Sequence, residues 1–274
     1  AFSWPPSSWG TNGSDERRPF RIIAPLHLVS FGDFLAQIYF VSKLAAKFKH
    51  SETIFIIHDI YPYHTDLIKY YPYQCKAVAV PNNAVFKKYL GEVYASGADF
   101  IIPTAYSCDK LPGNFGDGHL IVPTEGRTEI DHALSGYGLD PDRWFCCVHF
   151  RQPNYEYKPY SNCRDVDPSP YLASIDYVVD ELGGQVVLLG HPEISTRPNR
   201  DGFVDLSRLH DSHDLQFGAV ARSRFLYCTS SGACSFANST GVPMGLIDAA
   251  DFWNVENTAI MTHTLVEASG RELR

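Results

Sequence analysis

The regular alternation of apolar segments with amphipathic segments constrains the fold of this chain more than any other feature. In the first half, the apolar segments are RIIAPL, TIFIIHD, KAVAV and DFIIP. Some of the segments between them are irregular, and others have helical apolar spacing, of which the longest is residues 31–48. From residue 144 the rhythm resumes with WFCCVHF, QVVLLG, FVDL, FLYC and MGLID. Apolar strands that alternate with helices form parallel sheets with both faces covered. The sequence therefore predicts an α/β protein with two doubly wound parallel-sheet domains that face a cleft.

Changes in composition along the chain predict its domain boundaries. Residues 1–19 are rich in Pro, Ser and Gly, which is typical of an N-terminal arm. Residues 103–143 are dense in Pro and Gly, with a short helix predicted at 129–136, and the GLDPDRW stretch is typical of a boundary. We therefore predict an N-terminal domain at residues 20–138 and a C-terminal domain at residues 139–274.

The acidic balance of the chain limits its partners. The net charge is −8, whereas a surface for nucleic acid or anionic membranes needs an excess of Lys and Arg. A small basic pocket for an anionic ligand remains compatible with this charge. The seven cysteines form no CxxC motif, which is typical of reduced, mostly buried thiols in a cytoplasmic protein. No apolar run approaches the roughly 20 residues that span a bilayer, so no transmembrane segment is predicted.

Two long cations and an imidazole follow one apolar strand. His149 and Arg151 lie two residues apart at the end of WFCCVHF and share one face of it, and Arg164 follows across a loop. The planar guanidinium fork can grip a phosphate or carboxylate with two hydrogen bonds. Two interpretations stay open: these arginines bind an anion, or they form structural pairs with Asp165 or Asp167.

A second candidate site lies where the apolar strand FLYC runs into a helix of small residues. We call its four residues the 229–232 turn: Thr229, Ser230, Ser231 and Gly232. Such a junction offers N–H groups, hydroxyls and the positive end of a helix dipole to a phosphate or diphosphate. The chain has no GxxxxGK[ST] loop, no GxGxxG motif and no GxSxG elbow at this position. The alternative is a simple Ser/Thr helix cap.

Three other positions are candidates for the same cleft. Gly32 and Asp33 open the first long helix, where Asp33 either caps that helix or acts as a general base. Gly190 and His191 end the QVVLLG strand, where glycine permits a sharp turn or a close approach to a ligand. Tyr155 begins a tyrosine-rich loop that is a candidate surface for stacking on a base or sugar.

The LHDSHDL stretch contains a possible metal-ligand group, but helix capping explains it more simply. His210 and His213 alternate with Asp211 and Asp214, and no third distant ligand is evident. No carboxylate pair stands in an obvious position to hold Mg²⁺ beside a nucleotide diphosphate. We therefore predict no metal site.

These pieces, taken in order, resemble a known pattern between residues 130 and 250. CVHFRQPNY, the later SNCRDVDPSPYLAS and QVVLLGHPEI, and FLYCTSSGACSFANSTGVPMGLI resemble a bacterial family of glycosyltransferases with two Rossmann-like domains, the GT-B architecture. More distantly, the layout is similar to fucosyltransferases with a His-x-Arg motif and to heptosyltransferase-like enzymes. The latter carry Gly-Asp at their first helix, where Gly32 and Asp33 stand here.

The resemblance implies an enzyme: an inverting, metal-independent glycosyltransferase that moves a sugar from a nucleotide-diphosphate sugar to a hydroxyl of a small molecule or glycan. It implies that the N-terminal domain binds the acceptor and the C-terminal domain the donor, with no cofactor besides that donor. The residues expected to be catalytic are Asp33 as base, His149 and Arg151. The residues expected to bind the donor are Gly32, Tyr155, Arg164, Gly190, His191, Thr229, Ser230, Ser231 and Gly232. The alternatives are a nucleotide-sugar epimerase or hydrolase on the same fold, or a non-catalytic module that binds a nucleotide or another anion.

Overall fold

Two parallel sheets form the framework of the molecule. The structure is a computed structural model that describes residues 20–26, 31–48, 51–58, 62–95, 98–101, 118–152, 165–191, 197–210, 212–248, 258–261, 265–266 and 272–273. The first sheet has the strand order β3-β2-β1-β4 and the second the order β10-β9-β8-β5-β6-β7. Every strand pair in both sheets is parallel. The predicted α/β class with parallel sheets is therefore confirmed.

The elements of the first half follow the predicted rhythm closely. They are β1 (Phe20–Pro25), α1 (Phe31–Lys47), β2 (Ser51–His58), α2 (Pro62–Ile68), β3 (Cys75–Val80), α3 (Asn83–Ala95), β4 (Phe100–Ile101) and α4 (Thr124–Gly136). The sequence did not predict α2, which is short, and α4 begins five residues before the predicted helix at 129–136.

The second half contains the remaining elements. They are β5 (Phe145–His149), α5 (Ser169–Asp180), β6 (Gln185–Leu188), β7 (Phe203–Asp205), α6 (His213–Arg222), β8 (Leu226–Cys228), α7 (Cys234–Thr240), β9 (Met244–Ile247), β10 (Thr258–Met261), β11 (Leu265–Val266) and β12 (Glu272–Leu273). Strand β10 extends the second sheet, and β11 pairs with β12 in an antiparallel ribbon. These last three strands were not predicted.

The inner faces of the two sheets share one apolar core. A single buried cluster includes Phe34 and Leu35 of α1, Leu134 of α4, Phe217 of α6 and Phe236 of α7. Separate clusters lie on the outer faces, where α5 covers the second sheet and α3 covers the first. Helices thus cover both faces of each sheet, as buried parallel strands require. The inner helices α1, α4, α6 and α7 carry the packing between the two halves.

The predicted boundary at residues 138/139 separates the strands of the two sheets, although helix packing crosses it. The Ile130 side chain of α4 packs where a Cβ on Gly218 of α6 would stand. Arg222 of α6 pairs with Asp131 of α4 through both carboxylate oxygens, each at 2.9 Å. The boundary itself stays a prediction, and the arm at residues 1–19 lies outside the described residues. Within the described ranges, no helix is both long enough and apolar enough to cross a membrane.

Candidate functional site

Three of the predicted motifs lie side by side at one edge of the second sheet. Strand β5 pairs in parallel with β6 on one side and with β8 on the other. The carboxyl ends of these three strands lead into Arg151, Gly190 and Thr229, respectively. The Thr229 N–H donates to the His149 carbonyl oxygen at 3.2 Å, and the Leu189 N–H donates to the Val148 carbonyl oxygen at 2.9 Å. Ligands of doubly wound sheets bind at this edge.

His149 is buried in this edge and contacts the 229–232 turn directly. Its Nδ1 lies 3.1 Å from Ser231 Oγ, which also accepts the backbone N–H of Ala233 at 3.1 Å. Burial lowers the pKa of His149 to about 3, with further lowering by the neighbouring His191 and Arg151. The imidazole is therefore neutral at neutral pH. In that state it holds the Ser231 side chain rather than supplying positive charge.

This burial makes the stability of the protein depend on pH. The folded-state pKa lies below the ordinary 6.5, so between pH 6.5 and 3 the unfolded chain binds more protons than the folded one. The free energy of unfolding should therefore decrease on acidification by up to about 1.4 kcal/mol per pH unit from this residue. When the pH falls from 6.5 to 5, the free energy of unfolding measured with urea should decrease by about 1.6 kcal/mol more in the wild type than in His149→Gln. Equal losses in both proteins would contradict this account of His149.

The 229–232 turn has backbone donors that no group in the described residues satisfies. The N–H groups of Ala233, Cys234 and Ser235 all donate back into the turn. Within the described part of the chain, the N–H groups of Ser231 and Gly232 have no such acceptor. The Thr229 hydroxyl is likewise completely buried and lacks a hydrogen-bond partner there. An unsatisfied buried polar group costs about 1–3 kcal/mol, which a ligand that accepts hydrogen bonds would recover.

Helix α1 from the first half reaches this turn through two glycines. A Cβ placed on Gly32 would lie 2.4 Å from the Gly232 Cα, so the two backbones touch. The neighbouring Phe31 ring packs against the rings of His213 and Phe236, at centroid distances of 4.6 and 4.9 Å. Glycine is needed at position 32 for this close approach. The start of α1 is thereby anchored beside the turn.

Asp33 follows the residue that makes this contact. Because α1 begins at Phe31, Asp33 is the third residue of the helix rather than its N-cap. A carboxylate in the first turn is favoured by the positive end of the helix dipole. The side chain is half-buried. The structure thus places the predicted base one residue from the contact between α1 and the 229–232 turn.

Arg151 forms an ion pair with Asp165, as the alternative interpretation of a structural pair with Asp165 or Asp167 predicted. Its Nε donates to Asp165 Oδ1 at 2.9 Å, and both side chains are nearly buried. The Val166 N–H also donates to the Arg151 carbonyl oxygen at 3.0 Å. This pairing fixes the guanidinium next to His149 and offsets part of its charge. The predicted roles of Arg164 and Tyr155 concern residues outside the described part of the chain.

Gln216 of α6 lies at the same edge of the site and was not predicted from the sequence. Its Oε1 accepts the Gly190 N–H and its Nε2 donates to the Gly190 carbonyl oxygen, both at 2.9 Å. The same Nε2 donates to Ser212 Oγ at 2.8 Å. Gly190 has a φ of 141°, which disfavours any side chain. This buried amide therefore fixes the turn that leads to His191. A Gln within the apolar stripe of LQFGAV was the available signal.

Asp248 marks the end of a fourth strand at the same edge. It follows β9 with a φ of 51°, a conformation that residues other than glycine adopt at a cost. Its Oδ2 accepts a hydrogen bond from the Tyr171 hydroxyl at 3.0 Å. The sequence placed this residue in a strand and gave it no role.

The LHDSHDL stretch is used for packing between the halves. Asp214 accepts hydrogen bonds from the Tyr70 hydroxyl at 2.7 Å and from Lys69 Nζ at 2.8 Å. His213 packs on the Phe31 ring. Among the described residues, no three His, Cys, Asp or Glu side chains are grouped so as to hold a metal ion. Asp211 lies outside those residues.

Comparisons with known proteins show similarity in structure alone. No family profile matches the chain, and no curated protein sequence matches it. A glycosyl transferase family 9 structure from Veillonella parvula DSM 2008 is 14% identical with a TM-score of 0.65, over 94% of this chain and 91% of that one. ADP-heptose LPS heptosyltransferase II from E. coli is 13% identical with a TM-score of 0.61, over 91% and 92%. E. coli heptosyltransferase WaaC with ADP is 9% identical with a TM-score of 0.51, over 88% and 93%. The chain therefore has the GT-B-like α/β fold of these glycosyltransferases.

Proposed function

We propose that this protein is an inverting glycosyltransferase that moves a sugar from a nucleotide-diphosphate sugar to a hydroxyl acceptor without a metal ion. The contact between Gly32 and Gly232 is the observation that carries the proposal. It brings the first turn of α1, where Asp33 follows Gly32, from one half of the chain against the 229–232 turn of the other half. One structural neighbour is named for ADP-heptose and another was solved with ADP, which supports a nucleoside diphosphate as the leaving group.

The proposed reaction is a single in-line displacement. Asp33 accepts the proton of the acceptor hydroxyl as the acceptor oxygen attacks the anomeric carbon. The bond from that carbon to the diphosphate oxygen breaks, and the electron pair leaves with the diphosphate. The configuration at the anomeric carbon inverts because attack and departure occur on opposite faces.

Charge that develops on the leaving diphosphate needs donors already in position. The N–H groups of Ser231 and Gly232 and the Thr229 hydroxyl supply neutral donors at the turn. Removing one such preorganised donor typically costs about 3–4 kcal/mol of transition-state stabilisation. Arg151 would add positive charge, as would Arg164 in the role that the sequence predicts, while neutral His149 holds Ser231 in place. We assign the C-terminal half to donor binding and the N-terminal half to the acceptor.

One observation favours the alternative of a non-catalytic module that binds a nucleotide or another anion. The ion pair with Asp165 reduces the net positive charge that Arg151 brings to the strand end. A binding module would retain the donors of the turn but show no sugar transfer and no dependence on Asp33. Activity measurements on the Asp33 variant, described in the Discussion, separate the two functions.

Both the glycosyltransferase and the non-catalytic binding module would bind a nucleotide, so measuring the binding of nucleoside diphosphates tests both. Thermal-shift assays with ADP, GDP, UDP and dTDP, each with Mg²⁺ or with EDTA, should reveal one preferred ligand that binds in EDTA. A ligand at 100 times its Kd should stabilise the protein by about 2.7 kcal/mol. Failure of every diphosphate to bind would overturn the proposal.

A substitution of Thr229 locates that binding at the turn. Thr229→Val removes a buried hydroxyl without a partner in the described structure, so the unliganded protein should be stabilised by about 1 kcal/mol. Diphosphate affinity should fall roughly tenfold, since one hydrogen bond to a charged group is lost. Thr53→Val is the matched control, because Thr53 is also completely buried but its hydroxyl bonds to Tyr71 at 2.7 Å. It should destabilise the protein and leave binding unchanged. Equal affinity in Thr229→Val and the wild type would contradict the assignment.

A further inference from the structure

Two cysteines flank the 229–232 turn and face each other across its base. Cys228 ends β8 and is completely buried, whereas Cys234 begins α7 and is half-buried. Their Sγ atoms are 3.7 Å apart, and both thiols are reduced. The Cys234 thiol also donates to the Thr229 carbonyl oxygen at 3.4 Å. The sulfur atoms thus already meet, on either side of the residues with the unsatisfied donors.

The geometry of this pair favours a disulfide. An S–S bond is about 2.05 Å long, so the two sulfur atoms need to approach by less than 2 Å. Five residues of the chain separate the two cysteines, which lie at the end of β8 and at the start of α7. The hydrogen bond with Cys234, together with burial, raises the pKa of the Cys228 thiol. Cys234 is the more exposed of the two residues and therefore the one that we expect an oxidant to reach first.

We propose that Cys228 and Cys234 form an oxidative modification site, at which a hydroperoxide converts the two thiols into a disulfide that weakens anion binding at the 229–232 turn. The effect on anion binding rests on the proposed function, whereas the disulfide itself does not. In the first step, the Cys234 thiolate attacks the O–O bond and forms a sulfenic acid, and the peroxide leaves as an alcohol or water. In the second step, Cys228 attacks that sulfur and releases water. Two thiols and one hydroperoxide thus give one disulfide, one alcohol or water, and one further water.

The disulfide would change the turn because the same residues hold its shape. Cross-linking removes the hydrogen bond from Cys234 to the Thr229 carbonyl oxygen. It also pulls the first residue of α7, whose N–H donates to the Ser231 carbonyl oxygen at 3.1 Å. Gly232 cannot move toward α1, because its backbone already touches Gly32. The N–H groups of Ser231 and Gly232 would therefore lose their alignment.

The modification can be tested on the full chain with hydrogen peroxide as the oxidant and inorganic pyrophosphate as the anion probe. Oxidised protein should lose two hydrogen masses, and peptide mapping should place the link between Cys228 and Cys234. Its affinity for pyrophosphate should fall roughly tenfold or more, as when one hydrogen bond to a charged group is lost. Dithiothreitol should restore both the mass and the affinity. Cys234→Ser should gain no link and lose no affinity on oxidation, whereas Cys75→Ser, a half-buried cysteine of the first sheet, should respond like the wild type.

Each other outcome overturns a stated part of the inference. Folded protein that gains no link, or a link between other cysteines, refutes the modification site. A Cys228–Cys234 link with unchanged pyrophosphate affinity refutes its effect on the turn. If reduced wild-type protein binds neither pyrophosphate nor any nucleoside diphosphate, the proposed function and the effect on anion binding both fail. Peptide mapping still decides the modification site in that case.

Discussion

Asp33→Asn should reduce sugar transfer by a factor of about 10²–10⁴, the usual contribution of a positioned general base. The asparagine has nearly the same shape but cannot accept the proton of the acceptor hydroxyl. Affinity for the nucleoside diphosphate should stay within about twofold, because the 229–232 turn supplies that binding. The measurement is steady-state kinetics with the donor identified by the diphosphate panel, together with the Kd of the diphosphate.

Loss of the helix-dipole interaction has to be separated from loss of the base. Glu125 is an exposed acid in the first turn of α4, at a position comparable to that of Asp33 in α1. Glu125→Gln removes the same kind of interaction, worth about 0.3–1 kcal/mol of stability, and should leave turnover unchanged. If Asp33→Asn transfers sugar as fast as the wild type, Asp33 is not the base. If neither the wild type nor Asp33→Asn transfers sugar but both bind the diphosphate, the non-catalytic binding module is the better interpretation.

The strand ends at the site edge could be predicted from the sequence because burial leaves a clear signal. All five residues of β5 are buried, and strands that are buried on both faces have nearly continuous apolar sequences, as the first four residues of β5 do. Parallel strands that are neighbours in a sheet bring their carboxyl ends together, so Arg151 and Thr229 were expected near one another. The structure confirms the common edge through the pairing of β5 with β8. The catalytic and binding roles of these residues stay predictions.

Contacts between distant segments could not be predicted, because no local pattern encodes them. Gly32 and Gly232 are each unremarkable within their own motif, and their backbone contact depends on how α1 packs against α7. The Gln216 amide likewise bonds to Gly190 on a different element. For Arg151, the sequence offered two acidic partners, and the fold selected Asp165. Periodicity thus predicted the elements, while tertiary packing determined which polar groups meet.

Gly32→Ala should destabilise the protein by about 3 kcal/mol, the upper part of the range for overpacking. The added Cβ would lie 2.4 Å from the Gly232 Cα, and a backbone atom cannot rotate away as a side chain can. Helices α1 and α7 would have to separate, which would also move the 229–232 turn. The free energy of unfolding from urea titration measures the first effect, and the Kd of the diphosphate measures the second.

Two other glycines provide a graded comparison. A Cβ on Gly232 would lie 3.2 Å from the Gly32 backbone, so Gly232→Ala should cost less, about 1 kcal/mol. A Cβ on Gly91 of α3 would meet no atom of the described residues within 4 Å, so Gly91→Ala should stabilise the protein by up to about 1 kcal/mol through helix propensity. From the most to the least stable, the order should therefore be Gly91→Ala, wild type, Gly232→Ala and Gly32→Ala. Should Gly32→Ala be as stable as the wild type, the two halves do not meet at these glycines, and the juxtaposition that carries the proposed function is lost.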